Sequence, residues 1–410
     1  MRGKRKERMG LETRNTKDKD EEMRQITQRL EEGIREYLTS EHYVHYLDTM
    51  SKFHKYSVNN ILMIAMQRPD ASLVAGYTAW QKNFHRNVKK GEKGIRIIAP
   101  QKQEVKRRRV KIDELTKQPL VDLKGDQVME TFTVTIPKFR MTTVFDISQT
   151  VGEPLPEIRV SELTRQVPGF ERFSEAFKRA APIPVRFEMM EPDTRGYYDG
   201  ATQEIVIRSG MSDAQTMKTM IHEMAHALMH DPTKMQEIPD SATREVQAES
   251  VAYTVCAHFG LDTSDYSFPY ISAWSGTREP DTLRASMEQI RSTASGCIGA
   301  IERQMRQMDR EKECTELSDR IMQLYREVTP YTYTDMSDAE LDQERSMLES
   351  ALLSGQAAET HASLFEILQA REDLTPRQVR EAKELYEKVR QMTRVPDYAW
   401  HRETEQERER

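Results

Sequence analysis

Residues 220–230 read Met-Ile-His-Glu-Met-Ala-His-Ala-Leu-Met-His. On a helix, His222 and His226 fall on one face about one turn apart, where two imidazoles can meet one metal ion. Glu223 lies beside them, within reach of a water activated at that ion. Two His ligands with an adjacent Glu base are the arrangement of zinc hydrolases. A five-residue match also arises by chance on solvated helices, so the surroundings must support it. Ser212 and Asp213 can cap a helix. No Pro or Gly interrupts residues 213–230, and Ile221, Met224, Ala225 and Leu228 give the helix an apolar face to bury.

A zinc hydrolase site takes three protein ligands and leaves one position open. His230 follows His226 by one turn, and Cys256 and His258 stand late in the next predicted helix, 242–259. The stronger candidates are in Arg244-Glu245-Val246-Gln247-Ala248-Glu249-Ser250-Val251-Ala252-Tyr253. Glu245 and Glu249 share a face with Ala248 and Ala252. Small residues permit close approach to the motif helix, and acids on such a face are costly to bury unless paired or metal-bound. The residues alone leave the roles open. Glu245 as ligand with Glu249 bonding a His ring N–H is one assignment. The reverse is the other, and two solvated charges are the bland alternative.

The elements that must position this site follow from pattern. Strands are expected at 185–189 and 204–208, the second feeding the motif helix and lying along its cleft, where an extended peptide could pair with it. An amphipathic helix is expected at 161–180. Upstream, helices are expected over 21–66, with apolar residues at helical spacing from 43 to 66 and a stop at Arg68-Pro69-Asp70. Asn59 and Asn60 interrupt that apolar pattern and are expected to bond backbone or line a groove. Gly91 and Gly94, set among lysines, read as a tight turn into a strand at 95–100. Residues 132–136 and 142–147 read as strands, and Gly152-Glu153-Pro154-Leu155-Pro156 as a linker. Helices are expected at 279–310, at 312–327 and across the polar stretch 330–410.

Charge is unevenly placed. The whole chain carries a formal −6, yet residues 80–112 hold 12 Lys/Arg against two acids, a local net of +10. Aromatic residues Tyr56, Tyr77, Trp80 and Phe84 interleave with it. Cations for phosphates and flat rings for bases suit single-stranded nucleic acid. The competing reading puts Tyr77 and Trp80 in the core and the lysines on a solvated face. The candidate contacts are Tyr56, Tyr77, Trp80, Lys82, Arg86, Lys89, Lys90, Lys93, Arg107, Arg108 and Arg109.

The 410 residues, 37% hydrophobic and 31% charged, imply two or three domains with long solvated helices beside a core. Cys256, Cys297 and Cys314 are too scattered for a disulfide framework or a Cys-rich zinc site, and fit a reducing cytoplasm. No apolar run of about 18 residues exists, so no membrane span is expected. The charged N-terminus lacks the apolar core of a secretory signal.

The motifs together resemble a known group. His222-Glu223-x-x-His226 followed by Glu245-x-x-Ala248-Glu249 is similar to the gluzincin-type pattern of ArdC-type antirestriction proteins and, more distantly, of ImmA/IrrE-type peptidases. Phe53-His54-Lys55-Tyr56-Ser57-Val58-Asn59-Asn60-Ile61-Leu62, Gln67-Arg68-Pro69-Asp70-Ala71, Gly76-Tyr77-x-x-Trp80 and Val88-x-Lys90-Gly91-Glu92-Lys93-Gly94 resemble the ArdC-type domain that binds single-stranded DNA. The resemblance covers about residues 25–270. It implies an α+β chain. It implies an α/β ssDNA-binding domain at 21–152; the inserted basic hairpin expected at 101–137 departs from the compact family form, and composition alone predicts a disordered basic leader at 1–20. The resemblance also implies a zincin-like metallopeptidase domain at 158–275; the mostly helical charged region at 276–410 lies beyond the resemblance and is expected from its own pattern. It further implies Zn²⁺ held by His222, His226 and Glu245, Glu223 as general base, a protein or peptide substrate, and carriage on a mobile element. Two other functions compete: a DNA-binding shield whose metal site cleaves nothing, and an ImmA-like protease that cuts one repressor. The intact Glu223 argues against the first, and the basic N-terminal half against the second.

Overall fold

A computed structural model describes residues 38, 40–112, 117–120, 127–154, 169–233, 239–261, 271–276, 278–328, 338–355 and 374–394. The expected leader at 1–20 and the first part of the 161–180 helix lie outside these residues. The fold mixes helix and sheet. The chain divides into two compact units, one of Met1–Ser174 and Ala181–Gly299, the other of Glu175–Ala180 and Ala300–Arg410.

The first unit opens with two helices, α1 (Ser40–Phe53) and α2 (Val58–Gln67). The helical spacing expected from 43 to 66 is present in both. The second begins at Ser57, whose hydroxyl caps α2 by accepting from Asn60 N. Strand β1 (Val74–Gly76) and helix α3 (Tyr77–Phe84) follow, then β2 (Arg86–Val88), β3 (Ile95–Val110), β4 (Met129–Asp146) and β5 (Thr150–Gly152). The sheet order is β1-β4-β3, with β2 and β5 paired separately. Strands β3 and β4 form one long antiparallel hairpin, in register from Ile95 opposite Val144 to Val110 opposite Met129. The two strands expected at 132–136 and 142–147 are therefore a single strand. Pro137 does not end it, because a long edge leaves positions that owe no ladder hydrogen bond.

Helix α2 holds the outer edge of β3 with side-chain amides. Asn60 Nδ2 donates to Ile98 O, and Ile98 N donates to Asn60 Oδ1, both at 2.8 Å. Gln67 repeats the exchange with the carbonyl and N–H of Arg96, both at 2.9 Å. The backbone role expected for Asn60 is the one it has.

Further along, α4 (Phe170–Ala180) precedes β6 (Val185–Glu188), β7 (Gly196–Asp199) and β8 (Glu204–Arg208). Their order is β6-β8-β7, with β6 parallel and β7 antiparallel to β8. Helices α5 (Asp213–Met229) and α6 (Ser241–His258) then pack as a pair. Ser212 caps α5, Asp240 caps α6, and Gly260, at φ 71°, ends α6 in the left-handed conformation. Strand β8, with Ile205, Val206 and Ile207 all buried, lies against α5, whose Met217, Met220, Ile221 and Met224 are buried too. Gly196 permits the approach of α5 to β7, since a Cβ there would lie 2.8 Å from the Thr219 methyl. Leu228, expected on the buried face of α5, is 47% exposed. Ala227 and Met229 are buried in its place.

Helix α7 (Ile271–Gly276) and the 49-residue α8 (Pro280–Val328) follow. The break expected near residue 311 is absent because no Gly or Pro falls there. In the second unit, Cys314, Leu317, Ile321 and Leu324 of α8 share a small core with Leu348 and Leu352 of α9 (Asp338–Ser354) and Leu385 and Val389 of α10 (Pro376–Arg394). No described helix is long and apolar enough to cross a membrane.

Candidate metal centre and nucleic-acid surface

His222 and His226 project from α5 with their Nε2 atoms 3.1 Å apart. From α6, the Glu245 carboxylate reaches both, with Oε2 3.6 Å from His222 Nε2 and Oε1 3.6 Å from His226 Nε2. One donor atom of each residue lies within 4.8 Å of the other two. Two imidazole nitrogens and one carboxylate oxygen, converging from two packed helices, fit a divalent cation of the zinc type.

Glu249, one turn further along α6, faces the other side of His222. Its Oε2 is 3.2 Å from His222 Nδ1, and its Oε1 is 3.2 Å from Lys218 Nζ. The two acids on one helix face thus reach two different ring nitrogens, Glu245 the Nε2 and Glu249 the Nδ1.

The charges follow from this crowding. Burial pulls the His222 pKa down, but the Glu245 and Glu249 carboxylates outweigh it and hold it at about 9. Burial and the neighbouring His222 push His226 down to about 4. Two ring nitrogens at 3.1 Å admit one positive centre against them. A proton and a metal ion therefore compete for the same place. The bond to His222 holds the Glu245 carboxyl below its ordinary range. Burial raises Glu249, yet His222 and Lys218 bring it down overall.

Glu223 is 8% exposed. Burial lifts its carboxyl above the ordinary value, although the His222 charge and the donated backbone N–H of Tyr198 oppose that. Tyr198 belongs to β7, so the edge strand beside α5 is β7. The strand expected to lie along the cleft, 204–208, is the centre of its sheet and is paired on both sides. It has no free edge for a peptide.

The basic residues lie elsewhere in the same unit. Lys82, Lys89, Lys90, Lys93, Arg107, Arg108 and Arg109 are exposed, as is Tyr77 at 51%. On the hairpin, Lys106 and Arg108 stand on the face of Thr131 and Thr133, and Arg107 and Arg109 on the face of Phe132. Arg109 is 2.6 Å from Glu130 and lies 4.9 Å over the Phe132 ring. Arg86 is half-buried and donates to Thr150 and to the carbonyls of Gly152 and Glu153, tying β2 to β5. Tyr56 is half-buried, edge-on to Phe53. Trp80 corrects the expectation of a base-stacking ring. It is fully buried and its indole N–H donates to Phe145 O at 2.8 Å, so it offers no face to a nucleotide.

Residues 16–145 match the family model for the N-terminal domain of anti-restriction factor ArdC, and residues 179–266 match the IrrE N-terminal-like domain of the M78 peptidases. The chain joins an ArdC-type N-terminal domain to an IrrE-type domain. An uncharacterized protein of Bacillus anthracis is 29% identical over 322 residues, which are 72% of this chain and 53% of that protein. The chain spans about half the length of this curated relative. Among solved structures, the metal-free crystal structure of the antirestriction ArdC protein from the R388 plasmid is 22% identical, covering 61% of this chain and 84% of that one, with a TM-score of 0.37. The Mn(II)-bound structure of that protein is 20% identical over 62% and 84%, with a TM-score of 0.35.

The ArdC-type and IrrE-type regions meet through α1 and α6. Tyr43 OH lies 2.7 Å from Ser250 Oγ, and Tyr253 OH donates to Asp48 Oδ1 at 2.6 Å. The Tyr253 hydroxyl is thereby committed to Asp48 on α1. His258 Nδ1 donates to Ser51 O at 2.8 Å, and Cys256 is buried in the core, which removes both as ligands. Sequence reasoning missed three supporting groups: Lys218 behind Glu249, the Tyr198 N–H on Glu223, and Gln247, which faces His230 at 2.8 Å. The first and third were visible as polar residues on apolar helix faces; the second depends on strand pairing alone.

Proposed function

We propose that this chain is a cytoplasmic, single-stranded-DNA-binding antirestriction-type protein of a mobile element, whose IrrE-type domain is a zinc-dependent metallopeptidase. The observation that supports it best is the convergence of His222 Nε2, His226 Nε2 and the Glu245 carboxylate, with buried Glu223 beside them. His222, His226 and Glu245 would hold the ion. When bound, a divalent cation there supplies Lewis acidity, acidifying water and polarising a carbonyl. Glu223, its affinity for protons raised by burial, takes the proton of water and delivers it to the leaving amine. The Tyr198 N–H holds its carboxylate in place. A metal site of structural purpose needs no such carboxylate, which favours hydrolysis over a shield that cleaves nothing.

The exposed cations of 82–93 and of the β3–β4 hairpin support the DNA half of the reading, with Tyr77 and Phe139 as exposed rings among them. Metal analysis of the purified full-length chain, beside titration of labelled single-stranded DNA at rising salt, tests both halves. One zinc per chain and an affinity that falls steeply with salt are expected. A chain that retains no divalent metal, or that binds no DNA at low salt, overturns the corresponding half.

A further inference from the structure

His226 is the end of a polar chain that the catalytic reading does not use. Its Nδ1 is 3.0 Å from His230 Nδ1. His230 Nε2 is 2.8 Å from Gln247 Oε1. Gln247 Nε2 lies 2.7 Å from Ser286 Oγ and 3.2 Å from Gln289 Oε1, both on α8. His230 is 4% exposed and Gln247 3%, so water does not complete these bonds.

The direction of the chain follows from its far end. An amide oxygen turned toward Gln289 Oε1 would set two acceptors together, so Gln247 donates on the α8 side and accepts on the His230 side. His230 Nε2 must then carry the ring hydrogen, which leaves His230 Nδ1 a bare acceptor. The hydrogen facing that acceptor belongs to His226 Nδ1. His226 Nε2 is therefore bare, and it is the atom that faces Glu245. A metal ion binds an imidazole nitrogen only through a bare lone pair.

Resting on the metal reading above, we infer that His230 and Gln247 are positioning residues that set which ring nitrogen of His226 faces the metal position. His222 has its tautomer set differently, by a carboxylate anchored on a lysine. The two ligand histidines are thus wired by one charged and one neutral network. The neutral one runs from α5 through α6 to α8.

The test uses the full-length chain, stripped by chelator, with Zn²⁺ affinity read by chelator competition and Co²⁺ read by its visible absorption. Three variants separate positioning from packing. His230→Phe keeps a flat ring and removes the acceptor. Gln247→Met keeps the length and removes the anchor. His230→Asn keeps an acceptor oxygen near the position of Nδ1. His230→Phe and Gln247→Met are expected to lose about 10–100-fold in Zn²⁺ affinity and to shift the Co²⁺ bands. His230→Asn is expected to recover most of the affinity. Wild-type affinity and spectrum in both His230→Phe and Gln247→Met overturn the inference while leaving the metal reading intact. So does an equal loss in His230→Asn and His230→Phe, which would mark a packing role. A wild-type chain that binds neither ion overturns the metal reading and this inference with it.

Discussion

The metal centre and the basic hairpin place charge in opposite ways. At the centre, seven polar groups, Lys218, His222, Glu223, His226, His230, Glu245 and Glu249, converge on two packed helices and their edge strand, and each meets a named partner. On the hairpin, four consecutive cations, Lys106 to Arg109, fan onto two exposed faces, and among the described residues only Arg109 is paired with an acid. Convergence in a half-buried cluster, closed around Glu223 and His230 and open at Glu245, makes each group matter singly, because an unmatched charge there is costly. Dispersal in water makes the cations matter as a sum, and screens them.

The sharpest way to break that contrast is at the two acids of α6. Glu245→Ala is expected to abolish metal retention, and Glu249→Ala to weaken it by about 10–100-fold, since the latter supports a ligand and is not one. Glu223→Gln is expected to keep the metal and lose hydrolysis. Metal content after dialysis decides it; full metal in Glu245→Ala with none in Glu249→Ala reverses the two roles.

Trp80 probes whether an aromatic residue within a basic stretch belongs to the surface or the core. Trp80→Ala is expected to cost about 3–5 kcal/mol of stability, while the fraction that stays folded binds DNA as before. Tyr77→Ala is expected to do the reverse. Denaturant unfolding and DNA titration of both variants separate the two cases, and unchanged stability in Trp80→Ala rejects the core assignment.

The pH response should also differ between the two regions. The folded pKa of His222, about 9, stands above its ordinary value of 6.5, so its pairing stabilises the metal-free protein fully below about pH 6.5. That contribution, at most about 3 kcal/mol, fades as pH rises toward 9. Metal uptake near pH 7 should release about one proton, because the ion displaces it. Chelated protein unfolded at several pH values, and calorimetry in two buffers, read these two effects. Stability that climbs between pH 6.5 and 9 contradicts the His222 assignment.

The smallest effects per residue are expected on the hairpin. Replacing Lys106, Arg107 and Arg108 by Ala should lower the salt slope of single-stranded DNA binding by about 2, at roughly 0.7 per lost phosphate contact. The same triple change at Lys89, Lys90 and Lys93 tells whether the loop or the hairpin dominates. An unchanged slope in both triples removes the basic stretch from the interface.

Much of the site could be read from the chain because helical periodicity is local. The spacing of His222, His226, Glu245 and Glu249 needs only α-helical geometry, and the caps at Ser212 and Asp240 mark where the helices begin. What depended on pairing between distant segments could not be read so directly. Strand 204–208 looks like any strand before a helix, and only its two neighbours make it central. Residues 132–147 look like two strands, and only the partner β3 makes them one. Trp80 among lysines looks like a stacking ring until the Phe145 carbonyl is placed against its indole. His230 stands in the chain as a third imidazole one turn past His226, but its task depends on Gln247, which lies 17 positions away.

Asn60 and Gln67 have an effect well beyond their own neighbourhood. Each offers one C=O and one N–H, as a peptide group does, so α2 stands in for a missing strand at the base of the hairpin. A β-hairpin that slips by one residue turns every side chain to the opposite face. By clasping Arg96 and Ile98 individually, the two amides forbid that slip at the root. The choice of face for Lys106 and Arg108, or for Arg107 and Arg109, is thereby made ten residues earlier by two uncharged side chains on a helix. The hairpin is indexed at its base as a key is cut at its shoulder, and its outer charges inherit their orientation from there.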